Sequence, residues 1–210
     1  MYCPAAFRQD DLAVLHAHIQ SCGLALLTSH GAQGLEASHL PLVLVADEGP
    51  YGTLYGHIAR ANPHWQHLQQ AKQALAVFSG PDAYIHPGWY PVKAEHGKVV
   101  PTWNYITVQA WGEVEVFEDP ERLLGVVTAL TDKHERGQAQ PWSVDDAPSD
   151  YIASMLRAIV GFALPIERIE GKWKLGQNRS SADQRGVYEG LLQSGVAGAA
   201  ALADKMDGDC

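Results

Sequence analysis

The chain has 210 residues, a mass of 22.8 kDa and a formal net charge of −9 at pH 7. This length suits one domain with one core, and no apolar run approaches the ~20 residues that a membrane-spanning helix needs. The negative charge, without any run of lysines or arginines, argues against direct binding of nucleic acid, because proteins that do so carry a basic footprint.

The start of the chain and its cysteines indicate a cytoplasmic protein. Residues 1–8 lack the charged start and apolar core of a secretory signal. Cys3, Cys22 and Cys210 are far apart and odd in number, which favours reduced thiols over disulfides. Since no Cys-x-x-Cys or Cys-x-x-His spacing occurs, the sequence predicts no structural zinc site.

The first predicted element is a helix over residues 9–21, because three apolar residues fall on one stripe. These residues are Leu12, Leu15 and Ile19. We expect two acids in its first turn, where the helix dipole favours negative charge, and a glycine in the left-handed conformation after its end. The acids are Asp10 and Asp11, and the glycine is Gly23.

Short strands follow, separated by segments rich in turn-forming residues. The predicted strands cover residues 24–29, 38–45, 53–58, 75–78 and 83–86. The first two form a hairpin around a turn at residues 30–34. A short helix from Pro63 to Lys72 follows the third strand, with Asn62 as its N-cap.

Residues 84–112 concentrate aromatic side chains and lead into a long strand. Trp89, Trp103 and Trp111 are three of the six tryptophans, and rings of this size must pack on something. From Trp103 onward, apolar and polar residues alternate, which predicts a strand with one buried face. The predicted buried face carries Val108, Ala110, Gly112, Val114 and Val116, and the other face carries Thr107, Gln109, Trp111, Glu113 and Glu115. The aromatic loop before this strand is either a corner of the core or the wall of a site for a flat ligand.

The last part of the chain is mostly helical. A helix starts with Asp119 as cap and Pro120 at its first position, and a polar connector over residues 138–148 and a short helix over residues 151–158 come after it. Next is a strand over residues 159–173, broken near Pro165. Ser180 caps a helix that ends at Gln193, with Asp183 at capping-box spacing, and we expect the alanine- and glycine-rich tail to fray.

The order of elements shows no βαβ alternation, and no GxGxxG motif is present. This favours a mostly antiparallel sheet that curls into a barrel with helices packed around it. We predict one domain over residues 1–210, with a helical C-terminal part.

Three groups of polar residues are candidates for chemistry. His64 and His67 have a spacing that could place both on one metal, but no carboxylate follows at a ligand spacing, so amphipathic histidines beside Trp65 are the favoured interpretation. At the junction before that helix, Arg60 and Asn62 either bind a phosphate at the helix start or only cap and solvate the turn. Residues 172–180 carry three cations, and form either a basic edge strand or a clamp for an anionic or heteroaromatic ligand.

Together, several motifs resemble the PaiB family, which comprises FMN-binding proteins described as negative transcriptional regulators. The motifs span nearly the whole chain in the expected order. They are Met1-Tyr2 with Pro4, Ser38-His39-Leu40-Pro41-Leu42, Gly56-His57 through Asn62-Pro63 and Trp65, Tyr84-Ile85 with Trp89-Tyr90, Val100-Pro101-Thr102-Trp103-Asn104-Tyr105, Ile159-Val160-Gly161-Phe162, and Lys174-Leu175-Gly176-Gln177-Asn178-Arg179. The chain departs from the family at His86 and Gly88, where serines are usual.

The resemblance implies an FMN-binding split β-barrel of the pyridoxamine-phosphate-oxidase and flavin-reductase type, mainly β with peripheral helices. Such proteins are normally homodimers with two FMN sites at the interface. By analogy, the strand with His39, Leu40 and Pro41 would pass the isoalloxazine ring. The residues expected to hold the ring edge and phosphate are His57, Ile58, Ala59, Arg60 and Asn62. The residues expected to close the site, some from the partner chain, are Trp103, Asn104, Lys174 and Gln177.

The sequence leaves three functions as alternatives. The family description favours an FMN-binding negative regulator that acts through a protein partner or through the state of its flavin, since it has no obvious DNA-binding motif. An FMN-dependent oxidoreductase acting on a small molecule is the second, because related barrels oxidise or reduce small molecules. A binding protein that has lost its cofactor is the least favoured, because Arg60, Asn62, Trp103, Lys174 and Gln177 are all present.

Overall fold

The computed structural model describes residues 1–31, 34–71 and 73–206, and within them it contains ten strands and seven α-helices. In chain order these are β1 (Arg8–Gln9), α1 (Leu12–Ser21), β2 (Ala25–Gly31), β3 (Gly34–Leu40), β4 (Val43–Val45), β5 (Thr53–Ala59), α2 (His64–Gln70), β6 (Ala74–Ile85), α3 (Val92–His96), β7 (Thr102–Gly112), β8 (Glu115–Phe117), α4 (Pro120–Glu135), α5 (Ser149–Leu156), β9 (Ile159–Pro165), β10 (Arg168–Lys174), α6 (Ser181–Gln193) and α7 (Ala199–Met206). The expectations for Ala32, Gln33, Lys72 and Cys210 lie outside the described residues.

The chain divides into two compact units. The first unit consists of Met1–Asp11, Ser79–Val108 and the chain from Glu170 onward, and the second consists of Leu12–Phe78 and Gln109–Ile169. Strands β6, β7 and β10 contribute residues to both units. That residues 1–210 form a single domain stays a prediction.

The second unit holds an antiparallel sheet with the strand order β4-β5-β9-β8 and the hairpin β2-β3, whose strand β2 also pairs with β6. Helices α4 and α5 cover one face of the four-stranded sheet through a cluster of apolar side chains. This cluster consists of Phe117, Leu123, Val126, Leu130, Leu156 and Ala163. Glycine is required at position 161, because a Cβ there would overlap the Phe117 ring.

The first unit is built on strands hydrogen-bonded in the order β1-β10-β7-β6. Helices α6 and α7 pack there on a second apolar cluster. Its members include Ile85, Tyr90, Ile106, Val187, Leu191, Leu202 and Met206. The prediction that the tail frays is therefore wrong for α7, because its apolar side chains are buried in this cluster.

Two predicted strand boundaries are wrong. The strand expected over residues 38–45 is divided at Pro41, which has no N–H to donate to a ladder, so β3 pairs with β2 while β4 pairs with β5. The two strands expected on either side of the turn at Ser79–Asp82 are one continuous strand, β6. Pairing with neighbouring strands overrides the local preference of Gly80 and Pro81 for a turn.

Three further expectations are corrected. Helix α1 begins at Leu12, so Asp10 and Asp11 precede it, and Gly23 does not have the positive φ of a left-handed cap. Strand β7 does not have one exposed face, because Trp111 is only 9% exposed and lies under the guanidinium of Arg168, 3.7 Å from the ring centre.

The helix predicted from Pro63 with Asn62 as its N-cap begins instead at His64, with Pro63 in the N-cap position. The caps predicted for α4 and α6, in contrast, are confirmed. Asp119 accepts a hydrogen bond from the N–H of Arg122 at the start of α4, and Ser180 accepts one from the N–H of Asp183 at the start of α6. The break at Pro165 separates β9 from β10 as predicted. Within the described residues, none of the helices combines the length and the apolar character that crossing a bilayer requires.

Candidate functional site

The junction between β5 and α2, in the second unit, is tied to the β2-β3 hairpin by a buried polar network. The side-chain oxygen of Asn62 accepts from the His64 N–H at 3.0 Å, and its amide donates to Ser38 Oγ at 3.3 Å. His64 Nδ1 lies 2.8 Å from Ser38 Oγ, and its Nε2 lies 3.0 Å from Ser29 Oγ. Ser38 directly precedes His39, so the network brings two predicted parts of the cofactor site together.

His64 stays neutral in this network. Its side chain is fully buried, and burial lowers the pKa of His64 below its ordinary value; Glu36 opposes this effect and His67 adds to it. A carboxylate oxygen of Glu36 lies against Nδ1 of His67 on the next turn of α2, and the two form an ion pair when His67 is protonated. A neutral imidazole donates through one nitrogen and accepts through the other, which matches the two serine hydroxyls.

Arg60 is held by the protein itself. Its Nη1 donates to Glu118 at 2.6 Å, its Nε to the carbonyl of Arg157 at 2.8 Å, and its Nη2 to the carbonyl of Ile159 at 3.1 Å. These bonds fix the end of β5 against the start of β9. Arg60 also lines a groove of about 540 Å³ with Arg157, over apolar residues of α4 and α5.

The other predicted residues of the second unit differ in what they can offer a ligand. His39 is exposed on β3, opposite Leu26, while the side chain of Ile58 is 1% exposed and belongs to the core. Leu40 and Pro41 are partly buried where β3 ends, and Ala59 is exposed at the end of β5.

His57 carries a buried ring nitrogen, Nδ1, that has no hydrogen-bond partner among the described residues. Burial lowers the pKa of this imidazole. A buried polar atom without a partner is costly, so Nδ1 is a natural contact for a polar ligand atom.

In the first unit, Lys174 anchors the predicted clamp. Its Nζ donates to Thr102 Oγ1 at 2.5 Å and to the Trp103 carbonyl at 2.6 Å. Burial lowers the pKa of Lys174, and the charges of Lys172 and Arg179 lower it further. The alternative of a basic edge strand is wrong, because β10 lies between β1 and β7 and Lys172 is only 7% exposed.

Gln177 is hydrogen-bonded within its own loop, and Asn104 is buried. The Gln177 amide donates to the Trp173 carbonyl at 2.8 Å, and its oxygen accepts from the Leu175 N–H at 3.0 Å. Gln177 thus closes its own loop after β10, and Asn104 is buried on β7. Both positions shape the loop and strand that carry Lys174 and Trp103.

Trp103 provides an open aromatic surface. Its indole is 54% exposed, and Tyr84 packs edge-on against it with ring centres 6.1 Å apart. Beside Trp103 lies a cavity of about 360 Å³. The residues that line it are Ser79, Gly80, Asp82, Trp103, Tyr105, Ile106 and Thr107. An exposed indole next to a cavity can stack on a flat conjugated ring.

Several residues of these networks were not predicted from the sequence. A serine inside an otherwise apolar strand, Ser29, was an available signal, because a buried hydroxyl needs a partner. Tyr105 stands two residues after Trp103, so the period of a strand places both side chains on one face. Nothing in the sequence indicated that Lys172 contacts Tyr105.

Within the described residues, no group of three or more His, Cys, Asp or Glu side chains could hold a metal ion.

These residues fit FMN, which combines a flat ring bearing polar atoms with an anionic tail. In the first unit, the exposed Trp103 suits the ring and the ammonium of Lys174 suits an anionic or carbonyl oxygen. In the second unit, taken separately, the unpartnered Nδ1 of His57 suits a polar ligand atom. Arg60 fits the tail less well, because all three of its donor groups already have partners.

Comparison with known proteins identifies the same cofactor. The model of the family described as "Putative FMN-binding domain" matches residues 1–168. "Protease synthase and sporulation protein PAI 2" of Bacillus subtilis is 32% identical over 209 residues, which cover 99% of this chain and 97% of that protein. An uncharacterized protein of Aspergillus fumigatus is 32% identical over 241 residues, covering 93% of this chain and 92% of that protein.

A solved structure supports the fold. The FAD and heme binding protein from Mycobacterium smegmatis has a TM-score of 0.61 and 16% identity, and the match covers 85% of this chain and 78% of that one. The predicted fold, an FMN-binding split β-barrel that is mainly β with peripheral helices, is confirmed, and so is the predicted cofactor, FMN. The chain therefore belongs to the PaiB-like family of FMN-binding proteins.

Proposed function

We propose that this FMN-binding protein is a negative regulator of transcription that acts through a protein partner or through the redox state of its flavin, without contacting DNA. The name of the Bacillus subtilis relative, which refers to protease synthase and sporulation, supports a regulatory role. The proposed mode of action rests on the net charge of the chain and on the contacts that its lysines and arginines already make within the protein.

Many of the arginines and lysines are engaged within the protein, where they bond to carboxylates, carbonyls or hydroxyls or stack on aromatic rings. They are Arg60, Arg122, Lys133, Arg168, Lys172, Lys174 and Arg179. These are seven of the 15 lysines and arginines, and the 24 acidic residues give the chain a net charge of −9, which opposes the phosphate contacts that supply a large share of the affinity of DNA-binding proteins.

For the cofactor, we propose contacts from each unit separately. In the second unit, these come from His39, Leu40, Pro41, His57, Ile58, Ala59, Arg60 and Asn62, with Ile58 contributing through its backbone because its side chain is in the core. In the first unit, they come from Trp103, Asn104, Lys174 and Gln177. Bound FMN supplies the capacity to take up and release electrons; the protein's residues bind it, orient it and limit its exposure to water.

We further propose a cytoplasmic homodimer with FMN at the interface between two copies. Exposed apolar side chains support an interface, since large ones are rarely left in water without a role. In the first unit these include Tyr84, Val100 and Trp103. The free thiols Cys3 and Cys22 support a reducing compartment.

An FMN-dependent oxidoreductase acting on a small molecule is the second candidate. The cavity beside Trp103 favours it, because a substrate needs open space over a flavin ring. Rapid reduction of the bound flavin by NADH or NADPH, followed by turnover, would support this function. If neither nicotinamide reduces the flavin, the regulatory proposal is favoured.

Titration with FMN tests the site. We expect saturable quenching of flavin fluorescence at one FMN per chain, and Lys174→Ala should weaken binding about tenfold, because it removes a charged donor. Lys93→Ala, on the exposed face of α3, is the matched control and should bind normally. Equal affinities of Lys174→Ala and the control would contradict the role of Lys174.

The regulatory mode is tested with the same proteins. We expect the wild-type protein to repress its targets in cells and the Lys174→Ala protein to repress them less, while the pure protein shows no sequence-specific DNA binding in either flavin state. Nanomolar, sequence-specific binding at physiological salt would overturn the proposed mode, and unchanged transcripts in a deletion strain would overturn the regulatory role.

A further inference from the structure

Tyr105 and Lys172 form a pair that the proposed function does not use. Lys172 Nζ donates to the Tyr105 hydroxyl oxygen at 2.6 Å and to the Tyr2 carbonyl at 3.2 Å. Lys172 is 7% exposed, and its ammonium also lies 4.9 Å from the centre of the Tyr105 ring. The buried cation therefore holds the phenol in place from behind.

The Tyr105 hydroxyl can still donate a hydrogen bond. In the part of the chain that the structure describes, the Tyr105 oxygen accepts from Lys172 and its O–H has no acceptor. A phenol that accepts from an ammonium is a stronger donor, because the positive charge polarises its O–H bond. Tyr105 lines the cavity of about 360 Å³ beside Trp103, so its side chain forms part of the cavity wall.

The same cavity has an acceptor. Asp82, on β6, is exposed and lines it, and the structure shows no ion pair between Asp82 and any described residue. The carboxylate disfavours an anionic ligand here, because like charges repel and the buried Lys172 already bonds to Tyr105 and Tyr2. A neutral ligand that carries one hydrogen-bond acceptor and one donor could bond to Tyr105 with the first and to Asp82 with the second.

We propose that this cavity binds the amide or imide edge of a planar heteroaromatic ring. The Tyr105 hydroxyl donates to a carbonyl oxygen of that edge, the Asp82 carboxylate accepts from its N–H, and the ring stacks on Trp103. The volume is in the range of small-ligand sites. Two sources have this chemistry: the pyrimidine edge of the flavin ring, and a nicotinamide ring beside the flavin.

The experiment compares four FMN-loaded proteins: wild type, Tyr105→Phe, Asp82→Ala and Tyr151→Phe. Tyr151→Phe is the matched control, because it removes the same group from an exposed tyrosine of α5 that lies outside the cavity lining. The first arm records the carbonyl bands of the bound flavin by infrared difference spectroscopy. The second arm titrates each protein with nicotinamide alone and follows binding by calorimetry or ligand-observed NMR.

If the flavin edge occupies the cavity, a carbonyl band moves to higher frequency in Tyr105→Phe, because the lost hydrogen bond had weakened the C=O bond, while Tyr151→Phe matches wild type. If nicotinamide occupies it, nicotinamide affinity falls about tenfold in Tyr105→Phe and Asp82→Ala and is unchanged in the control. The flavin arm rests on FMN binding near Trp103, which the titration with FMN tests separately.

The proposal is overturned if folded Tyr105→Phe and Asp82→Ala proteins match wild type in both arms. Loss of the hydroxyl removes one partner of the buried Lys172, so thermal unfolding by circular dichroism first establishes that Tyr105→Phe is folded. Asp82 is exposed, so Asp82→Ala keeps the test decisive if Tyr105→Phe does not fold.

Discussion

Neutral His64 should make the stability of this protein sensitive to mild acid. Because burial lowers the pKa of folded His64 below its ordinary value of 6.5, the unfolded chain takes up a proton at a higher pH than the folded chain. The stability that neutral His64 contributes is therefore present above about pH 6.5 and declines as the pH falls below that value. His57, whose pKa burial also lowers, acts in the same direction.

Urea unfolding of the wild-type and His64→Gln proteins at about pH 7.5 and about pH 5 measures this effect. We expect the free energy of unfolding to fall with pH more steeply for the wild type, because glutamine keeps hydrogen-bonding capacity and does not titrate in this range. Identical pH dependence in both proteins would show that His64 is not the titrating group.

Substitutions of Arg60 and of Glu118 should lower the free energy of unfolding by different amounts, although the two residues form one ion pair. Their side chains are 39% and 53% exposed, and an exposed pair contributes only about 0.2–1 kcal/mol. Glu118→Gln should therefore lower the free energy of unfolding by less than about 1 kcal/mol. Arg60→Met also removes the donors to the carbonyls of Arg157 and Ile159, and should lower it by about 1–3 kcal/mol.

Chemical denaturation of both variants checks this prediction, with FMN absent so that ligand binding does not contribute. If Glu118→Gln proves as destabilising as Arg60→Met, the ion pair rather than the two carbonyl bonds holds the end of β5.

The helices α4 and α6 each contain glycines, and the structure gives these glycines opposite roles. On α6, a Cβ at Gly186 would overlap the Trp89 carbonyl oxygen and one at Gly190 would overlap the Trp89 indole, whereas a Cβ at Gly125 on α4 would meet nothing within 4 Å. The close approach of α6 to the Trp89 segment therefore depends on glycine. In α4 the glycine only reduces helix propensity.

Alanine substitutions separate these roles. We expect Gly125→Ala to raise the free energy of unfolding by about 0.5–1 kcal/mol, and Gly186→Ala to lower it by about 1–3 kcal/mol, because backbone overlap must be relieved by moving the helix. Urea unfolding of the two variants gives both values. A stabilised Gly186→Ala protein would mean that α6 has room to move away from Trp89.

Helix α7 shows how burial alone can decide an element. Its sequence, rich in alanine and next to glycines, carries no strong cap signal, so local rules predict fraying. Its residues Leu202 and Met206 are nevertheless buried, at 0% and 3% exposure. Tertiary packing supplies the stability that a short isolated helix lacks.

The proposed homodimer predicts the mass of the protein in solution. Sedimentation equilibrium of the FMN-loaded protein should give twice the chain mass of 22.8 kDa, and removal of FMN should weaken association, because a ligand at an interface stabilises the assembled state by mass action. Trp103→Ala should also weaken association, because the exposed Trp103 ring is a candidate contact between the two copies. A monomer that binds FMN at full stoichiometry would contradict the proposed interface.

Much of the protein was predictable wherever the signal is local. The caps at Asp119 and Ser180 and the break at Pro165 depend on residues a few positions apart, and all three are confirmed. The strand boundaries at Pro41 and around Gly80 were not predictable in the same way. Whether a strand continues there depends on the neighbouring strand with which it pairs.

The sequence by itself determined the family through its motifs, the cofactor through the resemblance to that family, and the mainly β class through the periodicity and order of its strands. Only the tertiary structure decided which partners the polar residues have. Tyr105 pairs with Lys172 across 67 positions, and Ser29 with His64 across 35. Such pairs arise because folding removes these groups from water and each must then find a partner in space, a requirement that sequence spacing does not encode.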